Sequence, residues 1–205
     1  MSSPPSTPRR TQAERSAATV DALLDATIEC LVEVGYANTT TSRVAERAGV
    51  SRGAHLHHFQ TRSALVAAAI ERLSALRAEQ GLALARELPE GRERIGAGLE
   101  LIWSGYDHPF FQAAIDLWSQ ARTDPELRSH LIEVERTFDR QTLEIAARVF
   151  PEQAGKPDFE RLIEMALAAM RGLALLNTLS PGSDRAAKQW QPIRAELVEL
   201  FERSG

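Results

Sequence analysis

The chain has 205 residues, 43% of them hydrophobic and 25% charged, and a formal net charge of −4, which is typical of a soluble globular protein of one large or two small domains. Its single cysteine, Cys30, excludes an intrachain disulfide and favours a reducing compartment. The sequence contains no apolar run of the roughly 18 residues that a membrane-spanning helix needs, so we expect a cytoplasmic protein.

The N-terminal part of the chain is less acidic than the rest. Residues 1–62 contain seven arginines and six acidic residues, whereas residues 63–205 contain an excess of five acidic residues. This difference is a weak indication of where a polyanion would dock. The Pro/Ser/Thr-rich residues 1–15 predict a disordered basic arm.

The first helical segments predict a helix-turn-helix. Apolar residues recur with helical spacing in the first segment, which Gly35 should end. Thr39 is predicted to N-cap a short second helix and Ser51 a third, with a tight turn at 48–50 between them. Three short helices joined in this way form a DNA-binding module, which we assign to residues 16–62.

The remaining residues, 63–205, predict further helices and no strand. Thr61 should cap a long fourth helix over about 62–88, and prolines mark several later helix boundaries. The last helix, about 184–203, contains Pro192, which should kink it or mark its true start. Because Ala, Leu, Glu and Arg dominate the chain, the sequence predicts an all-α fold of about nine helices.

The predicted helix at 158–179 is apolar on nearly all sides. A helix of this kind must be covered all round. In a chain of this size, a second subunit is expected to provide some of that cover.

A specific pattern of residues extends through the second and third predicted helices. It lies in the stretch GYANTTTSRVAERAGVSRGAHLHHF and the following TRSAL, and comprises Gly35-Tyr36, Thr39, Val44-Ala45, Ala48-Gly49-Val50-Ser51, Gly53, His58-Phe59 and Leu65. This pattern resembles the DNA-binding domain of the tetracycline-repressor-like (TetR) family of bacterial transcription regulators. The chain departs from the family at Leu56, where an aromatic residue whose hydroxyl touches phosphate is usual, and at Arg62, where Lys is usual.

The resemblance implies a homodimer in which each subunit inserts the helix at 51–58 into the major groove of one half of a palindromic operator. It also implies that residues 63–205 form a helical domain with a small-molecule effector pocket and the dimer interface. That interface would be a four-helix bundle made by the helices at about 158–179 and 184–203 of both subunits. No cofactor is expected.

Side chains near the starts of the second and third helices are candidates for DNA contact, because hydroxyls, amides and cations there can bind phosphate. Arg52 is the candidate for a guanine edge, since its guanidinium matches O6 and N7. Capping alone is an equally good interpretation of the threonine cluster. The candidates are Thr39, Thr40, Thr41, Arg43, Ser51, Arg52, Gly53, Ala54, Leu56, His57 and Arg62.

Three histidines, His55, His57 and His58, suggest a metal site as an alternative for the same segment. Zinc needs a third and usually a fourth ligand beyond one histidine pair, and Cys30 is more simply a small core residue. We therefore expect no metal.

Aromatic and methionine residues of the C-terminal part are candidates for lining the effector pocket, and a packed core is the alternative interpretation. The candidates are Trp103, His108, Phe110, Phe111, Trp118, Phe138, Met165 and Met170. The scarcity of polar candidates weakly favours an apolar or aromatic effector.

The sequence therefore predicts a DNA-binding repressor of a nearby operon, released by a small molecule. Activation in place of repression stays open within that class. Two alternatives come from other classes: a helical adaptor without specific DNA binding, and a metal-dependent hydrolase built on His55, His57 and His58.

Overall fold

A computed structural model describes residues 11–107, 109–179 and 183–203, and every regular element in these ranges is helical. The helices are α1 (Gln12–Asn38), α2 (Thr41–Arg47), α3 (Arg52–His58), α4 (Arg62–Ala85), α5 (Arg92–Ser104), α6 (Pro109–Ala121), α7 (Pro125–Val149), α8 (Phe159–Leu179) and α9 (Arg185–Arg203), with a 3-10 turn at Gly105–Asp107. The predicted all-α class is confirmed.

The start of α1 corrects the predicted disordered arm at 1–15. The Thr11 hydroxyl accepts a hydrogen bond from the Glu14 backbone N–H, and the Glu14 carboxylate accepts one from the Thr11 N–H. This reciprocal cap satisfies two free backbone donors and starts the helix at Gln12 in spite of the polar composition. The other residues of the predicted arm, 1–10, lie outside the described part of the chain.

Most of the helix ends lie where the sequence predicted them, and one predicted N-cap is wrong. Gly35 breaks α1 with a φ of 70°, as predicted, although one further helical turn follows. Ser51 and Thr61 cap α3 and α4, accepting from the N–H groups three residues on. The prediction that Thr39 caps α2 is wrong, because the cap is Thr40. The chain leaving Gly35 turns Thr39 inward, where its hydroxyl donates to the Gly35 carbonyl at 2.8 Å.

Helix α4 belongs to two cores. Its N-terminal half buries Leu65 and Ala69 with α1 and α2, while Val66 and Ile70 join a second cluster with α6 and α7. The helix ends at Ala85, three residues before the predicted bound of 88. The Arg94 guanidinium donates there to the Ala85 carbonyl at 3.1 Å and to the Val149 carbonyl at 2.6 Å. One side chain thus ties together the C-terminal ends of α4 and α7.

Helices α8 and α9 pack together and leave an apolar surface exposed. Outward-facing residues of α8 recur at helical spacing: Met165, Ala168, Gly172 and Leu175. Beside them, Pro192, Ile193 and other residues of α9 line a groove of about 310 Å³. Helix α9 begins at Arg185, so the alternative that Pro192 marks its start is wrong.

Candidate functional site

The candidate DNA-reading helix, α3, has one buried side and one exposed side. His55 is 1% exposed and faces the module core, while Ala54 and His58 are half-buried. The exposed residues are Ser51, Arg52, Gly53, Leu56 and His57. The turn before α3 is made possible by Gly49, whose φ is 66°.

The arginines that lie in the N-terminal module or pack against α1 fall into two groups. Arg47 is bound by Glu33, with Nη1 2.7 Å from Oε1, and its hydrogen bond lowers the pKa of the Glu33 carboxyl. Arg72 is likewise paired with Asp21 and Asp25 of α1. Arg43 and Arg52 are exposed, and neither side chain has an ion pair or hydrogen bond within the described part of the chain.

The threonine cluster is divided by the fold. Thr40 uses its hydroxyl to accept from the Arg43 N–H at 3.2 Å. Thr41 is half-buried in the first turn of α2. Thr39 is 1% exposed and hydrogen-bonded inside the module. Capping therefore accounts for Thr40, and Thr39 lies beneath the surface that the other candidates share.

Arg62, predicted to contact phosphate, lies over the ring of Tyr36 in this structure. Its guanidinium carbon is 3.9 Å from the ring centroid, and Nη1 is 3.5 Å from the Tyr36 carbonyl oxygen. Contact with DNA would require the side chain to exchange this cation–π contact for a phosphate. The sequence offered no signal for this pairing, because the two residues lie 26 positions apart.

The three histidines have different environments. Burial lowers the pKa of His55, and its Nε2 has no hydrogen-bond partner among the described residues. His57 is exposed, with its ring centroid 5.1 Å from that of His58. No group of three His, Cys, Asp or Glu side chains in the described ranges is arranged to hold a metal ion. Cys30 is fully buried in the module core, as expected for a structural residue.

Two hydrogen bonds join α1 and α4 to the start of α7. The Tyr36 hydroxyl donates to Asp124 Oδ2 at 3.3 Å, and the Ser63 hydroxyl donates to Glu126 Oε1 at 2.7 Å. Asp124 also caps α7 by accepting from the Leu127 N–H. A displacement of α7 would therefore be transmitted directly to α1 and α4.

Several candidate effector residues form one aromatic cluster. Trp103 stacks on Trp190 with centroids 5.3 Å apart, and Phe111 meets Tyr106 edge-on at 4.8 Å. Met170 is fully buried in the same core cluster. All five side chains are buried and belong to one packed cluster. Tyr106 and Trp190 were not among the candidates.

Polar groups lie at the edge of this cluster, and the sequence did not predict their contacts with it. Trp118 is 36% exposed and donates from Nε1 to Glu135 Oε1 at 2.8 Å. The Arg171 guanidinium is 5.9 Å from the Phe138 ring centroid. Burial raises the pKa of the Tyr106 hydroxyl, while a hydrogen bond with Arg171 acts in the opposite direction.

Three further candidates lie elsewhere. Met165 is 43% exposed and lines the groove towards α9, on a different face of α8 from Met170. His108 lies outside the described residues, as does the side chain of Phe110.

A helix-turn-helix whose exposed face carries unpaired cations, joined to a larger helical domain, defines a DNA-binding regulator. The family model for bacterial regulatory proteins of the tetR family matches residues 23–69, and that for the C-terminal part of BetI-type transcriptional repressors matches residues 91–202. The chain belongs to the TetR family of transcription regulators, as the motif around Gly49 indicated. Members of this class are not enzymes, so the hydrolase alternative is wrong.

One relative and several solved structures match most of the chain, the structures in fold alone. The HTH-type transcriptional regulator CymR of Pseudomonas putida is 30% identical over 196 residues, covering 94% of this chain and 93% of CymR. A TetR-family regulator structure from Rhodococcus sp. has a TM-score of 0.67 at 21% identity, covering 92% and 98%. The Bacillus subtilis regulator FadR, in complex with stearoyl-CoA, has a TM-score of 0.62 at 16% identity, covering 90% and 98%.

None of the helices in the described ranges combines the length and the hydropathy that crossing a membrane requires.

Proposed function

We propose that this protein is a homodimeric repressor that binds a palindromic operator through α3 and is released by a small-molecule effector. The observation that carries the proposal is a contrast among the arginines that lie in the N-terminal module or pack against it. Arg47 and Arg72 form ion pairs with acidic residues, whereas the side chains of Arg43 and Arg52 are exposed on α2 and α3 and form no ion pair or hydrogen bond in the described part. Phosphate and guanine edges are the partners that such cations fit.

The proposed roles of the two arginines differ. Arg52 lies on the exposed side of α3 and is assigned to a guanine edge. Arg43 lies on the exposed side of α2 and is assigned to a phosphate. Ser51, Gly53, Ala54 and His57 complete the surface of α3 that would approach the groove.

The test is selection of binding sites from random duplex DNA, followed by affinity measurements at several salt concentrations. Arg52→Ala should lose about tenfold or more in affinity and relax specificity at one base pair. Arg43→Ala should weaken binding to all sequences and reduce the salt slope by about one. Arg136→Ala, which removes an exposed arginine of α7 paired only with Glu133, should behave as wild type. Absence of any selected sequence would favour the adaptor alternative.

The proposed functional boundary lies at the start of α4, with residues up to 62 reading DNA and residues 63–205 binding the effector and the second subunit. Support for the dimer comes from the apolar stripe of α8, which includes Met165 and Leu175, and from the adjoining groove on α9. Two copies of such a surface can cover one another through a twofold axis.

The proposed effector site is the aromatic cluster around Trp103, Phe111 and Trp118, with Tyr106 and Arg171 available to orient a ligand. The cluster consists mainly of aromatic side chains, which favours a ligand with a large apolar part. The cluster borders α6 and α7, and Asp124, which lies between these two helices, hydrogen-bonds Tyr36 of α1. An effector that favours a displaced α7 would thus change the position of α3, and operator DNA would weaken effector binding by the same factor.

A further inference from the structure

Leu56 is the residue of α3 whose position the proposed function leaves unexplained. Its side chain is 50% exposed and lies among Arg52, Gly53 and His57 on the exposed side of the helix. The preceding residue, His55, is buried, so α3 packs against the module through the side that carries His55 and presents Leu56 outward. An exposed leucine in the middle of a DNA-reading face must meet some chemical group when the helix enters the groove.

A leucine side chain has no hydrogen-bond donor, so it cannot bind a phosphate oxygen. The edges of the bases in the major groove present hydrogen-bonding groups and a single kind of apolar group, the C5-methyl of thymine. Covering one methyl group with another removes apolar surface from water and is favourable. We propose that Leu56 reads the C5-methyl group of a thymine in each operator half-site, an inference that rests on the proposed function.

The helical geometry also gives the position of this thymine. Leu56 follows Arg52 by four residues and therefore lies on the same side of α3, about 6 Å further along its axis. Base pairs are spaced by about 3.4 Å along the duplex. With α3 lying along the groove, the thymine falls about two base pairs from the guanine assigned to Arg52.

The test uses the site selected from random DNA and replaces each thymine of both half-sites in turn with deoxyuridine, which lacks only the methyl group. Wild-type protein should lose about threefold to tenfold in affinity per half-site at one thymine position. The affinity of Leu56→Ala should fall less than about twofold on the same replacement, because the shortened side chain no longer reaches the thymine methyl group. Leu84→Ala, which removes a leucine 52% exposed on α4, should keep the wild-type penalty.

Two results would overturn the inference without affecting the proposed function. One is a selected site in which no thymine-to-uracil change weakens wild-type binding. The other is a penalty that Leu56→Ala retains in full. The wild-type arm requires no variant, so it is independent of any effect on folding. If no sequence is selected at all, the proposed function fails first and this inference fails with it.

Discussion

At the residue scale, His55 is a buried polar side chain with a nitrogen that lacks a hydrogen bond among the described residues. It is packed in the module core, and the nitrogen concerned is Nε2. A buried polar atom without a hydrogen bond costs about 1–3 kcal/mol. Burial also lowers the pKa of His55 from its usual 6.5, because the charged form is poorly solvated there.

We predict that His55→Leu raises the free energy of unfolding by about 1 kcal/mol at pH 7.5 and by more at pH 5.5. Below pH 6.5 the unfolded chain takes up a proton that the folded chain resists, so wild-type stability falls as the pH falls through that range. Leucine removes this dependence. Urea unfolding at the two pH values measures the difference, and His57→Gln, at an exposed position, serves as control. Equal pH dependence in His55→Leu and wild type would contradict the prediction.

The local features of these residues could be predicted from the sequence, and the distant contacts could not. Ser51 and Thr61 each accept a hydrogen bond from the N–H group three residues on, so their capping roles are encoded within a few positions. The prediction that Thr39 caps α2 failed by one residue. Both neighbours are threonines, and the path of the chain after Gly35 turns Thr39 inward and leaves Thr40 at the cap. The Tyr36–Asp124 bond joins residues 88 positions apart, and no local pattern indicates such a pairing.

At the element scale, α5 approaches the end of α7 more closely than a side chain would allow. A Cβ added to Gly98 would lie 2.5 Å from Phe150 Cε1 and 2.7 Å from Val149 Cγ1. Gly98→Ala should therefore destabilise the protein by about 1–3 kcal/mol through overpacking. Gly81→Ala, in open space on α4, should be neutral or stabilising by up to about 1 kcal/mol. Thermal unfolding of the two variants distinguishes these outcomes, and a stable Gly98→Ala would contradict the close packing.

The buried cluster that joins Leu31 and Tyr36 of α1 to α6 and α7 should make the two parts of the chain unfold together. All three tryptophans lie beyond residue 100, so their fluorescence reports the C-terminal part, whereas circular dichroism reports every helix. We predict coincident transitions in wild type and in Tyr36→Phe/Ser63→Ala, which removes two hydrogen bonds to α7 and should lower the free energy of unfolding by about 1–3 kcal/mol. Ser104→Ala, whose hydroxyl bonds only its own helix, should leave both the transitions and the stability nearly unchanged. Separated transitions in wild type would show that the two parts unfold independently.

At the scale of the whole molecule, the apolar stripe of α8 predicts association through that face. The sequence indicated that this helix needs cover, but only the fold shows that Met165 and Leu175 face outward while Met170 is buried. Helical periodicity alone could not decide this, because the helix is apolar on nearly every side.

We predict that Leu175→Glu converts a dimer into a monomer, since two carboxylates would be buried at the shared face. Light scattering after gel filtration gives the mass directly, and Leu84→Glu, on α4, is the control. Operator affinity should fall by about a hundredfold or more, because the two half-sites are then bound independently. A Leu175→Glu protein that remains a dimer would place the interface elsewhere.

The central claim is that two copies of α3, held by one dimer, enter successive major grooves of the operator. Hydroxyl-radical footprinting of the selected site with wild-type protein tests it most directly. The account predicts two protected half-sites related by twofold symmetry, with centres about one helical turn, 10 base pairs, apart. At the lowest concentration that fully protects the site with wild-type protein, Arg52→Ala should protect neither half-site. A single asymmetric protected region, or full protection that survives Arg52→Ala, would contradict it.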